Sequence, residues 1–579
     1  MQKLDQDMVD LLFELYRRGE YTALAERTQS LLKSYPRELV LHSLRGAACH
    51  ELHEYEAAIA SYRAALAIRP DFEKIHNSLG IAYLRMDRVD DALGSFRDAL
   101  NSNPGFAPAW YNAGIAFEHS KEWRHAADCY ERAVQLEPGY VEAWSSLATV
   151  LLELGEYDRI VATCEQALAA KPDHLPAWRN LMNFLERANR HEELDAALRR
   201  AQVALGEHAL VELFRGITAD IAGDAGQARS ILESFRFDTT DPAGQHDERR
   251  RLARLARICD RLDDTRAAAG YAFDANRLSR IMSARMGVHK ETYLEYIDER
   301  RGSFTADYVA RWLQHPAASA EPAPAFIIGF PRSGTTLLDS ILRGHPGVAV
   351  AEESDAVSRM VDRMATRAGD PLAHLPELSR SELQQLRQLY FDTLRAHLPG
   401  AAADTRLVDR FALNIIYTGE ICRMFPDARF VLVLRHPADC VLSCFMQTFT
   451  ESPANANFHD LEDAACLYDR VFTLWRQYEE VLKPAVLEVR YEDVVTDLET
   501  AVRPVLDFIG VPWHPDLLDY HSTARERPFI RTASYNQVIR PLYSDAAGRW
   551  RRYREFLAPV IPVLDPWIEY FGYGSGSKS

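Results

Sequence analysis

Phe326-Ile327-Ile328-Gly329-Phe330-Pro331-Arg332-Ser333-Gly334-Thr335-Thr336-Leu337-Leu338 is an apolar run that breaks into a Gly/Ser/Thr loop and resumes as an apolar helix. A strand, a loop and a helix in that order point backbone N–H groups and a helix N-terminus at one spot, which suits a phosphate or sulfate. The spacing Gly329-x-x-x-x-Gly334-Thr335-Thr336 is that of a phosphate-binding loop. Thr335, however, stands where such loops place the Lys that reaches the β- and γ-phosphates. The positive charge of the loop falls to Arg332.

Downstream, short apolar runs alternate with amphipathic stretches. Ala325–Ile328, 347–351, 407–408, Phe430–Leu434 and 485–489 read as strands. Helices are expected over 335–343, 354–367, 380–398, 413–424, 440–449, 461–481 and 498–508. That alternation predicts a parallel sheet covered by helices, with ligands at the carboxyl ends of the strands. The Pro/Ala-rich stretch from His315 to Pro324 is the clearest domain boundary.

Upstream, Pro36, Pro70, Pro104, Pro138 and Pro172 recur every 34 residues. Trp110, Trp144 and Trp178 share one slot of that register. Gly46, Gly80, Gly114 and Ala148 share a second, and Tyr62, Phe96 and Tyr130 a third. Each unit carries two apolar-periodic segments, so each is a helical hairpin. The period and the Trp/Gly/Ala/Pro pattern resemble tetratricopeptide repeats. Small residues let the paired helices approach, aromatic residues fill the seam, and Pro starts the next unit. The expected domains are a repeat solenoid over 1–206, a helical continuation over 207–314 and an α/β domain over 325–575.

The totals narrow the function. The chain has 579 residues, 47% of them apolar and 26% charged, which is ordinary for globular protein. A net charge of −17 argues against broad nucleic-acid binding and requires any polyanionic ligand to meet a local cluster of cations. No apolar run approaches the roughly 18 residues of a membrane span, and the N-terminus lacks the pattern of a signal peptide. A cytoplasmic location is expected. The eight cysteines show no zinc spacing and read as buried, reduced thiols.

Within the α/β part, Pro331-Arg332-Ser333-Gly334-Thr335-Thr336-Leu337 resembles the 5′-phosphosulfate loop of sulfotransferases, whose donor is 3′-phosphoadenosine 5′-phosphosulfate (PAPS). Phe430–Leu434 followed by Arg435, with Ser443 on the next helix, resembles the pair that holds the 3′-phosphate in that family. A guanidinium and a hydroxyl suit such a phosphate. Val489-Arg490-Tyr491 resembles the family's strand-end Tyr beside the nucleotide. The similarity extends to tyrosylprotein sulfotransferases and to bacterial sulfotransferases carrying tetratricopeptide repeats. In that comparison, the second Glu of Glu352-Glu353 matches the general base. Ser534 matches the residue beside the sulfuryl group, and Arg540 and Arg549 match donor contacts. Arg410 falls where relatives place a Lys at the bridging oxygen; it keeps the charge but is planar and cannot give up a proton.

The resemblance implies a PAPS-dependent sulfotransferase with an N-terminal all-α solenoid and a P-loop-like α/β domain. Its expected catalytic residues are Glu353, Arg332, Arg410 and Ser534. The donor would be held by Arg332, Ser333, Gly334, Thr335, Thr336, Leu337, Arg435, Ser443, Tyr491, Arg540 and Arg549. By analogy with phosphoryl transfer, the chemistry needs in-line positioning and stabilisation of spread negative charge, and no metal is expected. A carboxylate base requires a partly desolvated site. The acceptor hydroxyl is expected on a protein or peptide tyrosine, with a glycan, lipid or small phenol as alternatives. The solenoid could bind that protein or serve a homodimer. No nucleic-acid partner and no membrane span are expected. Two other classes stand beside this one: a repeat scaffold whose transferase domain binds nucleotide without turnover, and an ATP- or GTP-using kinase, which the missing Lys disfavours.

Overall fold

The computed structural model describes residues 4–313, 321–368, 371–398, 400–402, 404–521 and 546–574. They form two compact units, Met1–Val211 and Glu212–Ser579.

The first unit is helical throughout. From Leu39–Glu51 to His191–Leu205 it runs through five helix pairs at the period read from the prolines. The glycine slot exists because the partner helix lies against it. A Cβ on Gly46, Gly80 or Gly114 would sit 2.5, 2.4 or 2.5 Å from the ring of Tyr62, Phe96 or Tyr130. Where Ala148 takes that slot, the aromatic position holds the smaller Cys164, so volume is conserved. The Trp slot has a polar reason. The indole N–H groups of Trp110, Trp144 and Trp178 donate to the carbonyls of Pro104, Pro138 and Pro172 at 2.8–3.0 Å. His42 and His76 make the same contact with Pro36 and Pro70 at 2.9 and 2.7 Å. Gly216, three periods beyond Gly114, is in the same position: a Cβ there would sit 2.5 Å from the side chain of Leu232. The hairpin register therefore continues in the second unit.

In the second unit, helices Pro242–Arg261, Thr265–Arg285 and Lys290–Ser303 precede a five-stranded sheet. Its strands are β1 (Ala325–Gly329), β2 (Val348–Glu352), β3 (Arg406–Arg410), β4 (Arg429–Leu434) and β5 (Ala485–Arg490). The order is β2-β3-β1-β4-β5 and every pairing is parallel. Side chains alternate across the sheet into two cores. Phe326, Ile328, Phe430 and Leu432 enter one, while Ala325, Ile327, Val431 and Val433 enter the other. That two-sided burial explains why these strands read as continuous apolar runs. Because β1 is central and the chain leaves it in both lateral directions, its carboxyl end is the switch point where such sheets bind ligands.

The preceding helices are built into this unit. Arg300 and Glu420, both fully buried, form an ion pair at 2.6 Å, and the Arg300 guanidinium lies 3.6 Å over the ring of Tyr296. Gly419 leaves room for Phe304, which a Cβ there would meet at 2.2 Å. The helix expected over 413–424 divides into a tight 3-10 segment, Ala412–Tyr417, and a short helix, Thr418–Met424. Tyr491–Thr496 forms a helical turn that the apolar pattern did not signal.

Candidate active site

β1 delivers the chain into the loop at Gly329, where a Cβ would meet the Val433 carbonyl of β4 at 2.6 Å. Only a glycine lets the loop start this close to the neighbouring strand. Arg332 follows with φ +70° and Gly334 with φ +110°. Gly334 is the N-cap of helix Thr335–Leu342 and offers no side-chain acceptor to the helix's first N–H groups. Those groups are therefore available to an anion. A Cβ on Gly334 would also strike the Tyr491 ring at 2.8 Å, so Tyr491 packs directly on the loop.

Around this loop lies a cavity of about 240 Å³. Arg332, Gly334, Thr335, Thr336 and Leu337 line one side, with Arg435, Ser443 and Tyr491 beside them. Arg332 Nε donates to Ser443 Oγ at 3.1 Å, and Arg435 Nη1 donates to the Arg332 carbonyl at 3.2 Å. The Arg435 guanidinium lies 4.9 Å over the Tyr491 ring. Its Nε is buried without a hydrogen-bond partner among the described residues, as is Ser333 Oγ. A buried unpaired donor is costly unless a ligand meets it, and an anionic ester suits Arg435. Ser333 does not line the cavity; its hydroxyl is turned toward Gly329.

Glu353 and Arg410 line the same cavity. They come together because β2 and β3 are neighbours in register, Glu352 opposite Arg410, and the Glu353 N–H donates to the Arg410 carbonyl at 2.8 Å. Glu353 takes a left-handed conformation, φ +49°. Held strain of this kind recurs at functional positions. The Arg410 guanidinium spans three carboxylates: Nη1 to Glu353 Oε1 at 3.2 Å, Nη2 to Glu352 Oε1 at 3.0 Å, and Nε and Nη2 to Asp339 Oδ2 at 3.2 Å. Arg410 is 2% exposed and Glu353 42% exposed, so the inner end of this cluster is fixed and its outer carboxylate reaches the cavity. Behind it, burial raises the Asp409 carboxyl to about 7, and its Oδ2 accepts from the Tyr390 hydroxyl at 2.8 Å.

Arg549 also lines the cavity. Asp439 accepts from the N–H groups of Gly548 and Trp550 at 2.7 and 2.8 Å, and Asp260 pairs with Arg549 Nε at 3.1 Å. Ser534 and Arg540 lie outside the described residues. The rest of the wall is less polar, from Phe411, Ala412 and Leu413 and from Phe449, Ser452 and Asn455. Nothing in the motif pattern singled out those two segments, because they carry no charged lining residue.

Among the described residues, four arginines and one glutamate are therefore the charged ones lining the cavity. This is the local cation cluster that the acidic chain requires of any polyanion. No histidine is among the described lining residues. His345 bridges Gly347 and Pro512, and His436 stacks on Trp550 at 4.7 Å. Burial lowers both His436 and His459 to about 4. Among the described residues no group of three or more His, Cys, Asp or Glu could hold a metal ion.

A parallel α/β sheet with a glycine-bounded anion cradle at its switch point, preceded by helical repeats, defines the class. Known proteins resemble the chain's two parts separately. Residues 324–515 match the sulfotransferase family model, and 46–87, 77–124 and 119–185 match tetratricopeptide-repeat models. The chain thus joins stretches that match tetratricopeptide repeats to one that matches the sulfotransferase family model. An uncharacterized protein of Aquifex aeolicus is 29% identical over 264 residues, 43% of this chain and 34% of the relative. Protein-tyrosine sulfotransferase 1 of Danio rerio is 27% identical over 43% of this chain and 74% of its own length. The Homo sapiens protein of that name is 26% identical over 43% and 69%. The matched stretch thus spans about a third of the first of these relatives. No helix among the described residues is long and apolar enough to cross a membrane.

Proposed function

We propose that the chain is a PAPS-dependent sulfotransferase acting on a hydroxyl, with protein or peptide tyrosine as the acceptor. The observation that carries this is the meeting, in one cavity, of the anion cradle at Arg332–Leu337, the Arg435/Ser443 pair and the Glu353/Arg410 pair. The similarity to protein-tyrosine sulfotransferases supports the choice of acceptor.

In this reading the N–H groups at the start of helix Thr335–Leu342, with Arg332, bind the 5′-phosphosulfate. Arg435 and Ser443 take the 3′-phosphate, and Tyr491 backs the loop against the nucleotide. Glu353 accepts the proton as the acceptor oxygen bonds to sulfur. The sulfur–oxygen bond to the 5′-phosphate then breaks, and Arg410 meets the charge that develops on the bridging oxygen. Arg549, with Ser534 and Arg540 outside the described residues, completes the donor end. The repeats over 1–206 would hold a protein acceptor, and the helices over 207–314 belong functionally to the catalytic part.

Calorimetry with the desulfated product, 3′-phosphoadenosine 5′-phosphate (PAP), tests the donor assignment. Arg435→Ala should weaken PAP binding by about tenfold or more, the order of a lost charge-assisted bond. Binding of an analogue lacking the 3′-phosphate should stay within twofold. Equal loss for both ligands would remove Arg435 from the 3′-phosphate.

A further inference from the structure

Helices Pro242–Arg261 and Thr265–Arg285 reach the cavity wall through one carboxylate. Glu451 lies in the irregular segment after helix Pro437–Phe445, and its side chain is 4% exposed. Its Oε1 accepts from Arg249 Nη1 at 2.5 Å and its Oε2 accepts the Ser283 hydroxyl. His459 Nε2 stands 3.4 Å from Oε2. The same helices hold the segment's ends, since Asn276 Nδ2 donates to the Phe445 carbonyl at 2.8 Å and Arg280 Nη1 to the His459 carbonyl at 3.1 Å. On either side of Glu451, Phe449, Ser452 and Asn455 line the cavity on the wall that is not the anion cradle.

We infer that Glu451 is a positioning residue for the acceptor side of the site, an assignment that rests on the sulfotransferase reading above. Residues 448–452 have neither helix nor strand to fix them. Backbone of that kind is held by its contacts, and here the most enclosed contact is a buried ion pair with Arg249. Such a pair contributes little net stability, but breaking one side of it leaves a charge uncompensated and frees what it held. The helices ahead of the sheet thus determine the shape of the wall against which an acceptor would lie, while the donor loop keeps its own supports from β4 and Tyr491.

The test uses the full chain with Glu451→Gln, and a second variant joining Arg249→Met to Glu451→Met. The paired change removes both charges, so it should fold even where the single change does not. Hydrogen exchange should rise roughly tenfold or more over 449–455 in both variants and stay unchanged over 331–337. With PAPS and a synthetic tyrosine peptide as probes, peptide KM should rise about tenfold, while kcat stays within threefold and the PAP Kd within twofold. Unchanged exchange over 449–455, or PAP affinity falling in step with KM, would overturn the inference. So would a paired variant with wild-type KM. If the parent chain transfers no sulfate, the sulfotransferase reading fails, and the exchange comparison still decides the role of Glu451.

Discussion

Replacing Arg410 by Lys probes the cluster that sets this site apart. The substitution preserves one positive charge but exchanges a planar fork for a single nitrogen. In the native arrangement three guanidinium nitrogens reach Asp339, Glu352 and Glu353 at 3.0–3.2 Å. One ammonium cannot span that set. Asp339 retains Arg343, whose Nε lies 2.5 Å from its other oxygen, so the loss falls on the two glutamates. Bonds to charged groups contribute about 1.5–3 kcal/mol each, and Glu353 is partly in water, so the expected cost is about 2–4 kcal/mol. Urea denaturation at pH 7.5 reads that figure as a lowered midpoint with an unchanged slope. Turnover should drop about 10- to 100-fold because Glu353 loses its anchor beside the acceptor, while PAP binding stays within twofold. A variant as stable as the parent, with equal or higher kcat, would refute the view that the fork holds the two glutamates in place.

Glu353→Gln should lower kcat by a factor on the order of 10²–10⁴ and leave PAP affinity within twofold. Near-normal turnover removes Glu353 as the base. Asp409 carries a pH signature. Burial holds its carboxyl at about 7 in the folded chain, well above the unfolded value near 4, so the folded state binds more protons between those limits. Stability from this group is therefore fully present at low pH and is lost as pH rises toward 7. Asp409→Asn should gain stability relative to the parent at pH 8 but not at pH 4, read as the difference in urea midpoints; equal shifts at both would contradict the assignment. In the solenoid, Gly114→Ala should destabilise the first unit by about 1–3 kcal/mol by driving a Cβ into Tyr130, and adding Tyr130→Cys should recover part of it, as the Ala148/Cys164 pair does natively. No recovery in circular-dichroism melts would show that the slot is not governed by volume.

Much of this was legible because it depends on local pattern. Five apolar runs became five parallel strands, four of them extended by one to three residues where polar ends such as Arg406, Asp409 and Arg410 complete the ladder, and β2 shifted by one residue to end at Glu352. The cradle could be read because Gly329 and Gly334 mark places where backbone must approach another group. The strand order was not legible, since parallel pairing leaves no local trace. His42 and His76 escaped the Trp slot because the shared property is a ring N–H donor rather than a residue type. The tie between Arg249 and Glu451, 202 positions apart, was invisible for a different reason. A lone charged residue in a polar stretch reads as solvated surface, and only the fold shows that water has been excluded from it. Glu353 and Arg410 were each nominated singly; that one guanidinium joins three carboxylates follows from the register of β2 against β3.

The transfer proposed for this cavity is of a sulfuryl group from PAPS to a hydroxyl. Its most direct test supplies radiolabelled PAPS and the full chain to a cell lysate, then separates protein from small molecules. Label transferred to tyrosine in protein, inhibited by PAP and abolished in Glu353→Gln, is the result predicted. Label confined to a glycan, lipid or small phenol would keep the chemistry and replace the acceptor. PAP binding without transfer to any fraction would contradict the sulfotransferase proposal and leave a nucleotide-binding scaffold in its place.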